Sequence, residues 1–161
     1  MTNLLRSWNW REYIGLAVFL AVALSIPIVN RVKNGNTGKR YHQQLLGELS
    51  LIHPPSGVLV VRNTDHYSPW TPNKAVVGTS YKTAAPYPVI REFYDQQLRA
   101  NGWLPVDTHS TTDWGKDLGG NVVVYCKGPL QASLQYAGSQ ANYGWTFAFD
   151  LSWGLGAPKC R

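Results

Sequence analysis

The chain has only two cysteines, Cys126 and Cys160, and no N-x-S/T acceptor anywhere. Neither cysteine stands just after the N-terminal apolar run, so a lipoprotein-type acyl anchor has no residue to use. Neither belongs to a C-x-x-C pair or has a histidine at metal-ligand spacing, which excludes a zinc ribbon or a dithiol redox centre. His42, His53, His66 and His109 are equally scattered, with no second His, Cys or Glu two or four residues away. Ser80, Ser110 and Ser133 lack the G-x-S-x-G turn that exposes a nucleophile. Glu48 and Glu92 fall on outward helical faces, so no carboxylate pair for glycoside cleavage can be named. Asp113, Asp117 and Asn121 lack both the alternation and the closing Glu of a calcium loop, and read as a polar hairpin tip. No metal, cofactor or catalytic residue is therefore assigned. The missing glycosylation acceptor favours a bacterial envelope over a secretory pathway.

A broad basic surface is also lacking, although the chain as a whole carries +6. Residues 1–40 hold six Lys/Arg against Glu12 alone, a balance of +5, while residues 41–161 hold nine against eight, a balance of +1. A folded unit so nearly neutral has no phosphate-tracking face, which excludes nucleic acid as a partner. Arg31, Lys33, Lys39 and Arg40 are instead placed to contact anionic lipid headgroups.

What the chain does have is an apolar run from Tyr13 to Val29 between Arg11 and Arg31. At ~1.5 Å per residue it reaches roughly 25 Å, enough to approach a ~30 Å hydrocarbon core with snorkelling flanks. Trp8, Trp10 and Tyr13 suit the headgroup layer. A cleaved signal peptide is the competitor, with Ala21 and Ala23 at peptidase spacing, but cleavage there would leave Leu24 to Val29 as a greasy N-terminus. The expected organisation is a cytoplasmic segment over 1–12, a single-pass signal-anchor over 13–29, a basic stalk over 30–40 and one extracytoplasmic domain over 41–161. Flanking charge alone would favour the opposite orientation, but long domains translocate largely regardless of it.

The two cysteines read first as a disulfide that pins the C-terminus, with one buried and one exposed thiol as the alternative. Closing a loop of about 35 residues stabilises by about 4 kcal/mol in the chain-entropy model, and the bridge requires an oxidising compartment.

The domain reads as α+β, a mostly antiparallel sheet packed on one main helix. After a stalk from Asn34 to Gly38, the stripe Tyr41, Leu45, Leu49 and Ile52 marks a helix over 39–52, ended by Pro54. Strands are expected over 57–62 and 75–83, with a loop from Thr64 to Pro72 between them. Ile90, Phe93, Tyr94 and Leu98 define the main helix over 89–100, stopped by Asn101 and Gly102. Strict alternation follows at 122–127 and 130–136, with Gly119 and Gly120 as a hairpin connection. A last strand points Tyr143, Trp145, Phe147, Phe149, Leu151 and Trp153 to one face. Asp150 faces the other way. Solvation is its simplest account, and a cross-strand cation or a covering layer are the alternatives.

The residues Phe93, Tyr94, Leu98 and Trp103 at the end of that helix, with Tyr125 to Gly128 and Tyr136 to Gly138, give the chain a resemblance to uncharacterised membrane-anchored bacterial proteins with a small α+β domain. The resemblance spans roughly Leu45 to Cys160 and rests on packing and turn residues, so it implies a fold and an anchor but no function.

The function expected is that of an anchored envelope protein whose domain binds a protein or cell-wall partner or supports a complex. His66, Tyr67 and Trp70 are the candidate contacts, because their loop concentrates aromatic and hydrogen-bonding side chains. The rivals are a small hydrolase or lyase on an envelope polymer, built around Asp65, His66 or His109, and an intracellular scaffold of reversed topology.

Overall fold

The computed structural model describes residues 10–113, 116–138, 140–154, 157, 159 and 160, with the side chains of 10–13, 27, 30–35, 113 and 116 left undescribed. The fold is α+β. Helix α1 (Trp10–Ser50) is followed by β1 (Leu59–Tyr67), β2 (Lys74–Lys82), α2 (Tyr87–Ala100), β3 (Leu104–Asp113), β4 (Lys116–Lys127), β5 (Leu130–Tyr136) and β6 (Phe147–Gly154). The strands form one sheet in the order β1-β2-β6-β5-β4-β3, antiparallel throughout.

Register divides the side chains into two sets. One face carries the rows Val77, Leu151, Ala132, Tyr125 and Thr79, Phe149, Leu134, Val123. Against it lie Ile90, Tyr94 and Leu98 of α2, all buried. Tyr94 stacks on Phe149 at 4.7 Å and meets Phe147 edge-on at 5.9 Å. Aromatic pairs in these geometries add about 0.5–1.5 kcal/mol beyond the area they bury. Helix α2 begins behind Pro86, where Pro88 occupies the first turn and loses no hydrogen bond. It stops at Gly102, whose φ of 82° lets the Trp103 N–H return to the Leu98 carbonyl at 2.9 Å.

The C-terminal third of α1 completes this layer. Leu45 is fully buried, Tyr41 stacks on Trp153 at 4.4 Å, and Glu48 accepts from Lys127 Nζ at 2.7 and 2.8 Å. Gly38 packs so closely on the β1–β2 turn that a Cβ there would collide with the Pro72 carbonyl.

Several boundaries move. The segment expected as a stalk is helical, and α1 runs unbroken into the residues read as a separate helix. Asn and Gly lower helix propensity by under about 1 kcal/mol each, which packing of the following turns offsets. Strand β1 extends through Thr64 to Tyr67, so the loop shrinks to residues 68–73. Strand β3 is not foreseen from the sequence. Gly119 and Gly120 lie inside β4 rather than in a turn, and residues 114 and 115, between β3 and β4, lie outside the described residues. Among the described residues no helix is long and apolar enough to cross a membrane. The span expected over 13–29 is thus not established. What α1 does present is a series of exposed apolar side chains from Ile14 to Val29, Phe19 at 69% and Ile26 at 65%.

Cys126 and Cys160 form a disulfide, with Cα atoms 5.5 Å apart. The tail is thereby held across the second face of the sheet, where the Lys159 N–H donates to Gln131 Oε1 at 3.2 Å. Replacing both cysteines by Ser is expected to lower unfolding free energy by about 4 kcal/mol in urea titrations, and reductant to lower the parent protein equally while leaving the variant unchanged.

Candidate functional site

Among the described residues no helix lies on the second face of the sheet, and the middle of that face is built from small residues, Gly78, Ser80, Ser133 and Ala148. Two rows cross it: Thr64, Gly78, Asp150, Ser133, Val124, Asp107, and beside it Arg62, Ser80, Ala148, Gln135, Val122, His109. Ser80, Ala148 and Ser152 are buried here although no helix or strand among the described residues covers them, because short side chains sit below the level of their neighbours.

Asp150 lies in the middle of this floor. It faces Gly78, where any Cβ would collide with its carboxylate and with the Phe149 carbonyl. Glycine at that position is what gives the carboxylate room. Burial raises the Asp150 pKa from its ordinary 3.8 to about 6, and the charge of Arg62 partly opposes the shift. The expectation of a solvated Asp150 is therefore corrected: the short neighbours leave it half-buried, with Arg62 as a compensating charge.

At the end of this face, where β1 begins and β2 ends, a cavity of about 430 Å³ opens between Gly57, Leu59, Lys82, Thr83, Gly144 and Trp145. Leu59 and Lys82 are register partners. Gly57 and Gly144 have φ of 77° and 75°, so both turns that frame the cavity need a residue without a Cβ. The Thr146 and Thr83 hydroxyls already serve the backbone around them. Lys82 has no carboxylate partner among the described residues. Trp145 stacks on Tyr143 at 4.9 Å. Lys82 is the one charged residue of the lining, with Trp145 and Leu59 beside it.

The residues singled out from sequence do not converge. His66 and Tyr67 alternate on β1 and so face opposite sides of the sheet. Tyr67 lies against α1, stacked on His42 at 5.3 Å, while His66 is exposed on the other face. Trp70 is 70% exposed in the β1–β2 turn. Asp65 pairs with His42 Nε2 at 2.6 Å rather than with its neighbour His66. His109 lies on β3, at the opposite edge of the sheet, where Asp107 accepts from His109 at 3.0 Å and from Lys159 at 3.2 Å. The hydrogen bond from Lys159, with a smaller one from His109, holds the Asp107 pKa below its ordinary value. Of the lipid-contact candidates, Lys39 and Arg40 are exposed on α1, and the side chains of Arg31 and Lys33 lie outside the described residues.

These placements restrict the chemistry. Asp150 and Asp107 share a row but stand three strands apart, about 14 Å, whereas the carboxyl pairs of glycosidases are separated by about 5–9.5 Å. Tyr125 donates to Asp95, and burial, followed by that hydrogen bond, pushes its phenol far above neutrality, so the pair is structural. Among the described residues no three His, Cys, Asp or Glu are grouped to hold a metal ion. The cavity residues Lys82 and Trp145 could not be found from sequence, because only the pairing of β1 with β2 and β2 with β6 unites segments so far apart in the chain. No protein-family model, curated protein or solved structure matches this chain.

Because its folded-state pKa is raised, Asp150 contributes stability that is complete below about pH 4 and lost as pH rises through about 6. A shift of about two units corresponds to about 3 kcal/mol. Asp150→Asn is expected to be more stable than the parent by up to about 3 kcal/mol at pH 8 and to show little gain near pH 4, read from urea midpoints at the two pH values.

Proposed function

We propose that this chain is a single-pass bacterial envelope protein, anchored through 13–29, whose domain lies outside the cytoplasm and binds an envelope component without catalysing a reaction on it. The observation that carries the reading is the exposed apolar surface of α1, which includes Leu16, Val18, Phe19, Leu20, Val22, Leu24, Ile26 and Ile28. Side chains at consecutive positions 18, 19 and 20 point to different sides of a helix, so the apolar surface surrounds the axis rather than forming one stripe. Water is a poor solvent for such a cylinder, and lipid a good one. The disulfide supports an oxidising compartment for the domain.

Binding is favoured over catalysis because Asp65, His66 and His109 are dispersed over two faces and two edges. The cavity beside Lys82 and Trp145, with a volume in the range of ligand sites, is the surface we assign to recognition in place of His66, Tyr67 and Trp70 together. An indole beside an ammonium suits a sugar ring that carries a carboxylate, the chemistry of cell-wall glycan.

In intact cells, a membrane-impermeant maleimide is expected to label the chain only after treatment with an impermeant reductant. Labelling that appears only after lysis would place the domain in the cytoplasm and sink the orientation. For recognition, the full chain in detergent should co-sediment with purified cell-wall sacculi, and the pair Lys82→Glu and Trp145→Ala should weaken this by about tenfold or more. Soluble glycan fragments released by the parent and lost when Asp65, His66 or His109 is replaced by Ala would instead establish the hydrolase.

A further inference from the structure

The course of α1 over the sheet determines which side of the domain faces the anchor. Gly38 touches Pro72 in the β1–β2 turn, Tyr41 stacks on Trp153 at the end of β6, and Glu48 reaches Lys127 at the end of β4. All three contacts lie at the same end of the sheet, and they follow its spatial order. From Gly38 to Glu48 the helix rises about 15 Å, and from β2 to β4 three strand spacings cover about 14 Å. The axis therefore runs across the strands, and its N-terminal extension leaves the domain over the β1 edge.

Among the described residues that edge exposes three consecutive apolar side chains, where the opposite edge exposes Leu104 at 65% and Val106 at 51%. Leu59 is 69% exposed, Val60 61% and Val61 45%, with Trp70 at 70% in the turn at the far end of the strand. A bare apolar edge is ordinarily a liability that charge or a covering element removes. Cations surround it: Arg62 on the strand itself, Lys74 after the turn, Lys39 and Arg40 on the helix beside it. The acid on β1, Asp65, is engaged by His42.

Resting on the anchor reading above, we propose that the β1 edge and the Trp70 turn lie against the anionic headgroup layer of the bilayer. From Gly38 back to Val29 is about 14 Å of helix, and β1 lies about 5 Å nearer the anchor than β2. About 9 Å then separates the edge backbone from the hydrocarbon, and the headgroup layer fills about 5–8 Å of that. Tryptophan, with an apolar body and a polar N–H, is the residue that such a layer retains.

The test is a nitroxide at one added cysteine in the full chain, native disulfide intact, reconstituted in phosphatidylcholine vesicles with or without phosphatidylglycerol. Phe19→Cys reports the anchor, Val60→Cys and Trp70→Cys the edge, and Thr108→Cys the opposite edge of the sheet. Labels at 60 and 70 are expected to collide with a soluble nickel chelate about fivefold less often than the label at 108, more so with the anionic lipid. If the label at 19 is buried in lipid while those at 60 and 70 are as open as that at 108, the edge placement falls and the anchor stands. A label at 19 open to the chelate overturns both. Spin–spin broadening at 60 would mean that β1 pairs with β1 of a second copy, which also overturns the lipid contact.

Discussion

The seam between the C-terminal third of α1 and one end of the sheet governs where every other surface points. It is built from three unlike contacts in sequence order: a glycine against a turn, an aromatic stack, and a carboxylate held by an ammonium. Glu48 is the more shielded partner of the last, 12% exposed against 35% for Lys127, so the pair is partly withdrawn from solvent screening. Between them Leu45 is fully enclosed. Because the same helix continues unbroken toward the N-terminus, the seam is also a rigid lever. A flexible stalk would leave the domain free to tumble, whereas a continuous helix transmits one orientation.

The two faces of the sheet divide the labour. The helix-covered face holds the large aromatic and aliphatic side chains, and removing water from them supplies most of the stabilisation, about 1.5–3 kcal/mol for each large residue. The other face contributes little apolar area. Its floor of Gly78, Ser80, Ala148 and Ser133 keeps a carboxylate partly out of water at a cost in stability, a combination that a sheet optimised only for folding would avoid.

Much of the covered face was legible in the sequence, because periodicity reports burial. The stripe Ile90, Tyr94 and Leu98, and the alternation through Phe147, Phe149 and Leu151, are the core that the structure displays. The partner of each cysteine was legible, since two cysteines allow one bridge, whereas the choice between that bridge and two free thiols is made by the structure. Strand β3 was not legible, because its short apolar alternation, Leu104 and Val106, is interrupted by Pro105 and runs straight into the polar, exposed Thr108, His109 and Ser110. Continuity of α1 was hidden for a related reason: Asn34 to Gly38 are weak helix formers whose conformation is decided by what Gly38 packs against, a contact 34 residues away in sequence. The candidate site was the least legible. Adjacent residues such as His66 and Tyr67 look like a cluster in sequence, yet in a strand adjacency means opposite faces. Lys82 and Trp145, 63 residues apart, line the same cavity.

The disulfide then acquires a role beyond stability. By holding the tail over Gln131, and Lys159 near Asp107, it occupies the half of the open face nearest β3. The cavity lies in the other half, against β1 and β2. On the proposed orientation that half is the one adjacent to the bilayer, so a ligand in the cavity would sit between the fixed tail and the lipid surface, within about two strand spacings of the β1 edge. Such a site admits components displayed close to the membrane more readily than free polymer at a distance. The restriction follows from where α1 leaves the sheet and where the tail is tied, and requires nothing of the cavity's own specificity.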